Sequence, residues 1–562
     1  MRTARSNRFT LPHNKCTSLP TRLFLFDVES TLHPVSDTHT EHHFRLAVGC
    51  LLRYRHDRKN FTESWSEFTT PEALADYIDA VAYKRNTLYA ASHNVSYDLE
   101  VAHLLERLQA RGWSIFRLYL RPGSTIIKLK NDNRTIVFFS TTNIYRCSLA
   151  KLGELLNQPK LPLPTQDEPD QVWFEYCQND VRILVEMMKH YLVWLRDEDL
   201  GGFCTTIGAQ AMRTYRHRFM HERIVIDHTP HVVRLERAAY HGGRIRIYWQ
   251  GELPTDTYYL LDINSAYPYV MRNYPLPCRL ARTEHGPNLY NFERQCRTHS
   301  VIALVDVEPD TPAFPVRYAG HIIYPTGRFT TVLSTPEVHL ALERGWLRRV
   351  YTVQYYNSAY LFSDYVDYFY SRKTQAKREN NPVMAEFYKM MLNALSGKWG
   401  GKAAEFVEIP ADEKYLCGEN IVINSDTGKA TKIYRIGNSL FFRGEESETT
   451  YSFPAIIAHI TAYQRVRMFD LVELAGEENV FLESTDSLLV NQSGYERLQH
   501  LIDPNALGAL SVKSITDHVV IYSPNDYVFG ESVKLKGVRQ NACQIDKNTY
   551  VKEVFTSLHV RS

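Results

Sequence analysis

A chain of 562 residues is too long for one hydrophobic core, and about three to four domains is the expectation for that length. An apolar content of 44% with 23% charged residues excludes a disordered or fibrous chain. Lysine plus arginine (65) nearly balances aspartate plus glutamate (63), so any surface for nucleic acid has to be local rather than written in the net charge of +2.

The nine cysteines include no Cys-x-x-Cys pair and no Cys/His cluster at zinc spacing, which argues against a disulfide framework or a structural zinc and for a reducing compartment. No apolar run reaches the ~18 residues of a membrane span. Residues 1–22 carry Arg2, Arg5, Arg8, Lys15 and Arg22 and no acid. Pro12 and Pro20 would interrupt an amphipathic targeting helix, so this segment reads as a disordered basic leader.

Residues 23–195 read as one α/β unit: a strand at "LFLFDV", a helix at "SYDLEVAHLLERL", a strand at "TIVFFS", a proline-rich loop from Pro159 to Pro169, and a long helix from about Glu175 to Trp194. Asp27 and Glu29 follow the first strand, and alternation sends both to one face. Asp98 opens the first helix, with Asn94 and Tyr97 beside it. Tyr176 and Asp180 stand four apart on one face of the long helix. Each has an ordinary reading: a surface acid pair, an acid favoured by the helix dipole, a solvated helix edge. Together, four carboxylates in the order Asp-x-Glu, Asp, Asp can hold two hard divalent cations, the arrangement that activates water for phosphodiester hydrolysis.

A second unit begins near Gly201, with strand-like segments at "RIRIYW", "YYLLDI", "SVIALVDV" and "NVFLES". Asp262 ends the second of these, and Ser265, Tyr267 and Pro268 form a turn after it. The stretch from Tyr360 to Ser396 is helical apart from Asn380 to Pro382, a turn signal that predicts two helices folded back on each other. On them Lys373 and Lys377 are one turn apart, as are Lys389 and Asn393. In "FLESTDSLLV" two apolar runs flank Thr485 and Asp486, which predicts a hairpin with the acid at its tip. An acid at a strand end and one at a hairpin tip can face each other in a sheet, and lysines above them suit a nucleoside triphosphate. The bland reading is two turn acids and a solvated helix. Lys534 and Lys536 in "VKLKGV" alternate along a strand, a pattern that suits a phosphate backbone.

The order of these motifs resembles family B DNA polymerases, and most closely their protein-primed branch of small phages, adenoviruses and linear plasmids. "FDVES", "HNVSYD" and "YCQND" are similar to the three exonuclease motifs; "DINSAYP", "KMMLNALSG", "STDS" and "KLKG" are similar to motifs A, B and C and the lysine motif. "YHGG", Tyr240 to Gly243, is similar to the linker motif between the halves. The resemblance implies a multidomain α/β and α+β fold. An RNase H-like 3′–5′ exonuclease domain is followed by a right-hand polymerase of palm, fingers and short thumb with two insertions.

It also implies roles. Asp27, Glu29, Asp98 and Asp180 would carry the exonuclease metals, Tyr176 would orient the attacking water, Lys151 would be the auxiliary lysine, and Ser30, Asn94 and Tyr97 would grip the single strand. Asp262, Asp486 and the carbonyl of Ile263 would bind the polymerase metals. Tyr267 would exclude a 2′-hydroxyl, Lys377 and Lys389 would hold the triphosphate, and Asn393 would line the nucleotide pocket. Lys536 would touch the primer terminus, while Tyr240 and Gly242 would partition the strand between synthesis and editing. The cofactor implied is Mg²⁺, with Mn²⁺ as the alternative. The partners are template and primer DNA, dNTPs and a terminal priming protein, with no membrane. The chain would act as a monomer in the host cytoplasm or another DNA-containing compartment, a mitochondrion if the leader targets, and would not be secreted.

The implied domains are the leader (1–22), the exonuclease (23–200), a linker with the first part of the palm (201–274), a first terminal-protein insertion (275–358), the fingers (359–397), a second insertion (398–452), the palm with motif C (453–530) and a truncated thumb (531–562). Departures from the family's pattern are Ser484 where motif C usually has its first Asp, and Ala394 and Ser396 where motif B usually has Ser and Tyr. Fidelity and processivity are what these put in question. Competing expectations are a polymerase that starts without a protein primer, a degenerate DNA-binding remnant, and a nuclease alone. A remnant has no physical reason to keep both Asp262 and Asp486.

Overall fold

The computed structural model describes residues 7–36, 38–55, 60–121, 123–412, 414–423, 428, 430–535, 538, 542–546 and 549–551. They divide into two compact units. One holds Asn14–Arg218 and Ala403–Ser447; the other holds the described residues up to His13, Phe219–Lys402, and those from Glu448 onward.

The first unit is built on a seven-stranded mixed sheet in the order Asn60–Phe68, His39–Arg55, Arg22–Ser36, Thr87–Ser92, Arg134–Ser140, Ser124–Asn131, Ser114–Arg121. Arg22–Ser36 pairs in parallel with Thr87–Ser92 and antiparallel with His39–Arg55. Its opening run Leu23 to Phe26 is buried on both faces, as a central strand requires. From Asp27 onward the burial alternates, with Val28 and Ser30 inward. Helix Asp170–Asp197, with Pro169 at its cap, packs on this region; Cys177, Val181 and Leu184 are buried on it, and the Cys177 thiol donates to the Asp27 carbonyl at 3.4 Å. The single helix predicted from "SYDLEVAHLLERL" is two, Val95–Val101 and Leu104–Ala110, split at His103, whose φ is +43°. No glycine or proline announces that break.

Residues Ala403–Ser447 form most of a four-stranded sheet in the order Lys402–Ile409, Ser439–Glu448, Ala430–Ile436, Gly418–Ile423. Its apolar side chains Tyr434, Ile436 and Phe441 share a core with Leu105 and Leu108. Gln109 donates to Ser439 and accepts the Asn438 amide, and the Cys417 thiol meets the Glu100 carboxylate at 3.0 Å. The segment read as a polymerase insertion is therefore compact with the exonuclease-like unit.

The second unit centres on an antiparallel five-stranded sheet: Ile245–Ile247, Val480–Ser484, Ser487–Asn491, Tyr258–Ile263, Leu510–Thr516. Helix Pro454–Ala475 covers it, with Met468, Leu471 and Val472 against Leu261, Ile263 and Leu488. Helices Ser363–Arg378 and Pro382–Lys398 fold back at the predicted turn. There Asn380 takes φ +51°, the Asn381 side chain caps the second helix at Met384 N–H, and the Tyr365 hydroxyl donates to the Met391 carbonyl at 2.8 Å.

Residues 275–358 supply four strands of a six-stranded sheet, Leu276–His285, Leu347–Ala359, Ser300–Val307 and Phe329–Ser334. Two further strands complete it, Val225–Asp227 and Arg8–Thr10. The leader is thus not free chain at Arg8–Thr10: Phe9 packs edge-on against His228, and Leu11 is buried. Lys534 ends an edge strand, Ser532–Lys534, whereas Lys536 and Gly537 lie outside the described residues. Among the described residues no helix is long and apolar enough to cross a membrane.

Candidate functional site

The first unit brings Asp27, Glu29, Asp98 and Asp180 to one place. The Asp98 carboxylate accepts the Val28 N–H at 3.0 Å and the Ser92 hydroxyl at 2.6 Å, so a helix acid is pinned to the strand between Asp27 and Glu29. Asp180 is 3% exposed; one oxygen pairs with the Lys160 ammonium and the other is buried without a hydrogen-bond partner. Burial, then the charges of Glu29, Asp98 and Asp180, push the Asp27 carboxyl well above its usual range. Burial raises Glu29 and Asp98 to about 7 each. One lysine does not balance four converging carboxylates, and an all-oxygen donor set with an orphaned oxygen fits hard divalent cations.

Around them, the Ser30 hydroxyl meets the Tyr97 hydroxyl at 2.8 Å, and Tyr97 meets His42 Nδ1 at 3.0 Å. Asn94 is exposed at the start of helix Val95–Val101, its side chain making no capping bond. Tyr176 is buried under the Lys160 ammonium, which lies 4.2 Å from its ring centroid. Lys151, the lysine picked out by resemblance, is exposed and pairs with Glu154 at 2.7 Å. Lys160 was missed, although its position just after Pro159, in a stiff proline-rich loop, was a signal. The Cys177 thiol was also missed: it sits with Asp27 and Glu29, their ligand atoms within 4.8 Å of one another.

In the second unit, register joins the two distant acids. Asp262 pairs with Ser487, one residue from Asp486, and the Ile263 N–H donates to the Asp486 carbonyl at 2.9 Å. Thr485 takes φ +61° at the tip, which turns the chain tightly enough to aim Asp486 at the end of the neighbouring strand. Burial, then the Asp262 charge, pushes Asp486 up to about 6. Two adjacent acids and a main-chain carbonyl again fit a divalent cation.

These acids floor a cleft of about 560 Å³, with Tyr267 on the sheet side and Lys373, Lys377, Lys389 and Asn393 on the helix pair. Ser265, at φ +54°, turns the chain from the Asp262 strand into helix Ala266–Asn273, which presents Tyr267. Burial, then the charge of Asp486, raises the Tyr267 phenol to about 12. On helix Ser363–Arg378 the lysine that reaches into the cleft is Lys373, 3.4 Å from the Ser265 hydroxyl and lying over the Tyr370 ring, and not Lys377, which is exposed. Burial, then the charges of Lys377, Lys389 and Lys513, lowers Lys373 to about 8. Lys513 also lines the cleft, and sequence reasoning passed it over.

The hairpin tip is braced from behind by the segment Tyr240 to Gly243 and the residue after it. The Thr485 N–H donates to the Arg244 carbonyl at 2.7 Å, Gln464 donates to the Thr485 carbonyl at 3.3 Å, and the Arg244 guanidinium pairs with Glu483 in full burial. Arg465, itself paired with buried Glu337, donates to the Gly242 carbonyl at 2.6 Å. Gly242 adopts φ +83°, and the Tyr240 ring packs close against Gly400.

A sheet unit with four convergent carboxylates, and a hairpin sheet whose two acids lie under a lysine-bearing helix pair, define a DNA-polymerase fold. Phi29 DNA polymerase complexed with single-stranded DNA aligns over 93% of both chains with a TM-score of 0.66 at 15% identity. The complex of phi29 DNA polymerase with primer-template DNA and incoming nucleotides aligns with a TM-score of 0.67, over 92% of this chain and 93% of that one, at 16% identity. At this identity the likeness is one of fold. Residues 164–475, more than half of the chain, match DNA polymerase type B, organellar and viral, and the protein belongs to that family.

Two relatives share sequence with it. A probable DNA polymerase of Neurospora intermedia is 21% identical over 375 residues, covering 63% of this chain and 37% of the relative. The DNA-directed DNA polymerase of Enterobacteria phage PRD1 is 23% identical over 371 residues, covering 64% of this chain and 60% of the relative. The alignments thus span less than two thirds of either relative.

Proposed function

We propose that the protein is a DNA-templated DNA polymerase with a 3′–5′ proofreading exonuclease, and that it replicates a linear viral or plasmid genome from a protein primer. One observation carries the reading: Asp262 and Asp486, 224 positions apart in the chain, stand side by side, one at a strand end and the other at the tip of the hairpin bonded to that strand, at the floor of a lysine-lined cleft.

Divalent cations held by these carboxylates, Mg²⁺ for an all-oxygen donor set, supply Lewis acidity at the transferred phosphate. The chain's own residues do the rest. Lys373, Lys377 and Lys389 neutralise the triphosphate, Asn393 lines its pocket, and the Tyr267 ring closes the sugar side against a 2′-hydroxyl. A primer 3′-hydroxyl then attacks the α-phosphate and pyrophosphate leaves. Tyr240, Gly242 and Lys536 act on the primer strand. In editing, Asp27, Glu29, Asp98 and Asp180 hold the cations, Tyr176 orients the water, and Ser30, Asn94 and Tyr97 hold the frayed strand. We assign the auxiliary lysine role to Lys160 rather than Lys151, because Lys160 reaches Asp180 and Tyr176.

The test is extension of a primed template beside degradation of single-stranded DNA. Asp486→Ala should lose at least roughly a hundredfold in extension and keep degradation; Asp27→Ala/Glu29→Ala should do the reverse. Equal incorporation by wild type and Asp486→Ala overturns the polymerase reading. Protein priming is tested with template, dNTPs and Mg²⁺ alone: product without a primer or partner protein would refute it.

A further inference from the structure

We propose that Lys513 is a resident counter-cation of the palm carboxylates, keeping on Asp262 the place that a divalent cation takes when the site is loaded. The inference rests on the reading of the cleft as a nucleoside triphosphate site, and deepens it.

Strand Leu510–Thr516 runs beside Tyr258–Ile263, but the register slips between Leu260 and Leu261. Leu260 faces Ser514 and Leu261 faces Val512, so Lys513 is the extra residue of a bulge. A bulge re-aims a side chain that regular alternation would send elsewhere. Here it brings the Lys513 Nζ to 3.1 Å from Asp262 Oδ2, while the Ser487 hydroxyl donates to Asp262 Oδ1 at 3.0 Å. Both oxygens of the acid are therefore engaged. Lys373, Lys377 and Lys389 stand on the helix pair, whereas Lys513 stands on the same sheet as the acids.

A divalent cation approaching Asp262 thus competes with an ammonium already there. The Lys513 side chain is 52% exposed, which makes the pair weak and displaceable rather than permanent. The nucleoside triphosphate carries the negative charge that can receive the released ammonium. Cation and nucleotide then favour each other's binding, as reciprocal coupling requires.

The probe is Mn²⁺, titrated by electron paramagnetic resonance into the full chain without DNA or nucleotide, in an Asp27→Ala/Glu29→Ala background that removes exonuclease ligands. Lys513→Gln should bind Mn²⁺ roughly fivefold more tightly than the parent, and Lys513→Arg, which keeps the charge, should match the parent. Adding Asp262→Asn to both the parent and Lys513→Gln should abolish the difference between them. Equal or weaker Mn²⁺ binding by Lys513→Gln overturns the proposal, as does tightening in Lys513→Arg equal to that in Lys513→Gln. Because the titration needs no catalysis, a chain that extends no primer would sink the polymerase reading while leaving this result to stand or fall by itself.

Discussion

Gly243 lies directly against Thr485: a Cβ on the glycine would stand 2.6 Å from Thr485 Cγ2 and 2.9 Å from Thr485 Cβ. Thr485 cannot retreat easily, because its N–H is bonded to Arg244, its carbonyl to Gln464, and its φ is +61°. Gly243→Ala should therefore push the tip that carries Asp486. Primer extension should fall roughly tenfold or more, with a lower melting temperature, while single-strand degradation by the other unit continues. Gly243→Ala/Thr485→Gly should recover much of the loss; no recovery would refute steric pressure as the cause.

The charge on Lys373 depends on pH. Burial and three neighbouring lysines lower it to about 8, so its ammonium is present below that pH and lost above it. The KM for dNTP should rise as pH climbs through about 8 in wild type, and stay level in Lys373→Arg, whose guanidinium remains charged. Parallel pH profiles for the two proteins would remove Lys373 from the triphosphate site.

Lys160 and Lys151 can be separated by measurement. Lys160→Ala removes the cation paired with Asp180 and should slow single-strand degradation by roughly a hundredfold, whereas Lys151→Ala should stay within about twofold. The opposite ranking would return the role to Lys151.

Glu236 offers a test of the core outside both sites. It is fully buried, accepts the Tyr356 hydroxyl at 2.9 Å, and burial raises it to about 8. An acid raised on folding contributes stability that is full below its unfolded value and is lost as pH rises through the folded one. Glu236→Gln should then resemble wild type near pH 5 and melt higher than wild type above pH 8, by thermal denaturation across that range. A constant difference between the two at all pH values would count against a neutral Glu236.

Much of the site was legible because local rules specify it. Asp27 and Glu29 follow from alternation after an apolar strand, Tyr176 and Asp180 from helical spacing, and the turn at Asn380 to Pro382 from residue type. The choice between Lys151 and Lys160 was not legible, since which lysine meets Asp180 depends on how the loop after Pro159 crosses helix Asp170–Asp197. Lys373 and Lys377 differ by one turn on the same helix, and only packing against Ser265 and Tyr370 separates them.

By itself the sequence determined most of the elements, the turn between the two lysine-bearing helices and the choice of candidate acids, because hydrophobic period, breaker residues and motif order act over a few positions. The tertiary structure alone decided that Arg8–Thr10 closes a sheet, that Ala403–Ser447 packs with Leu105 and Leu108, and that a bulge points Lys513 at Asp262. Those outcomes depend on register and on burial between segments hundreds of residues apart, which no local pattern encodes.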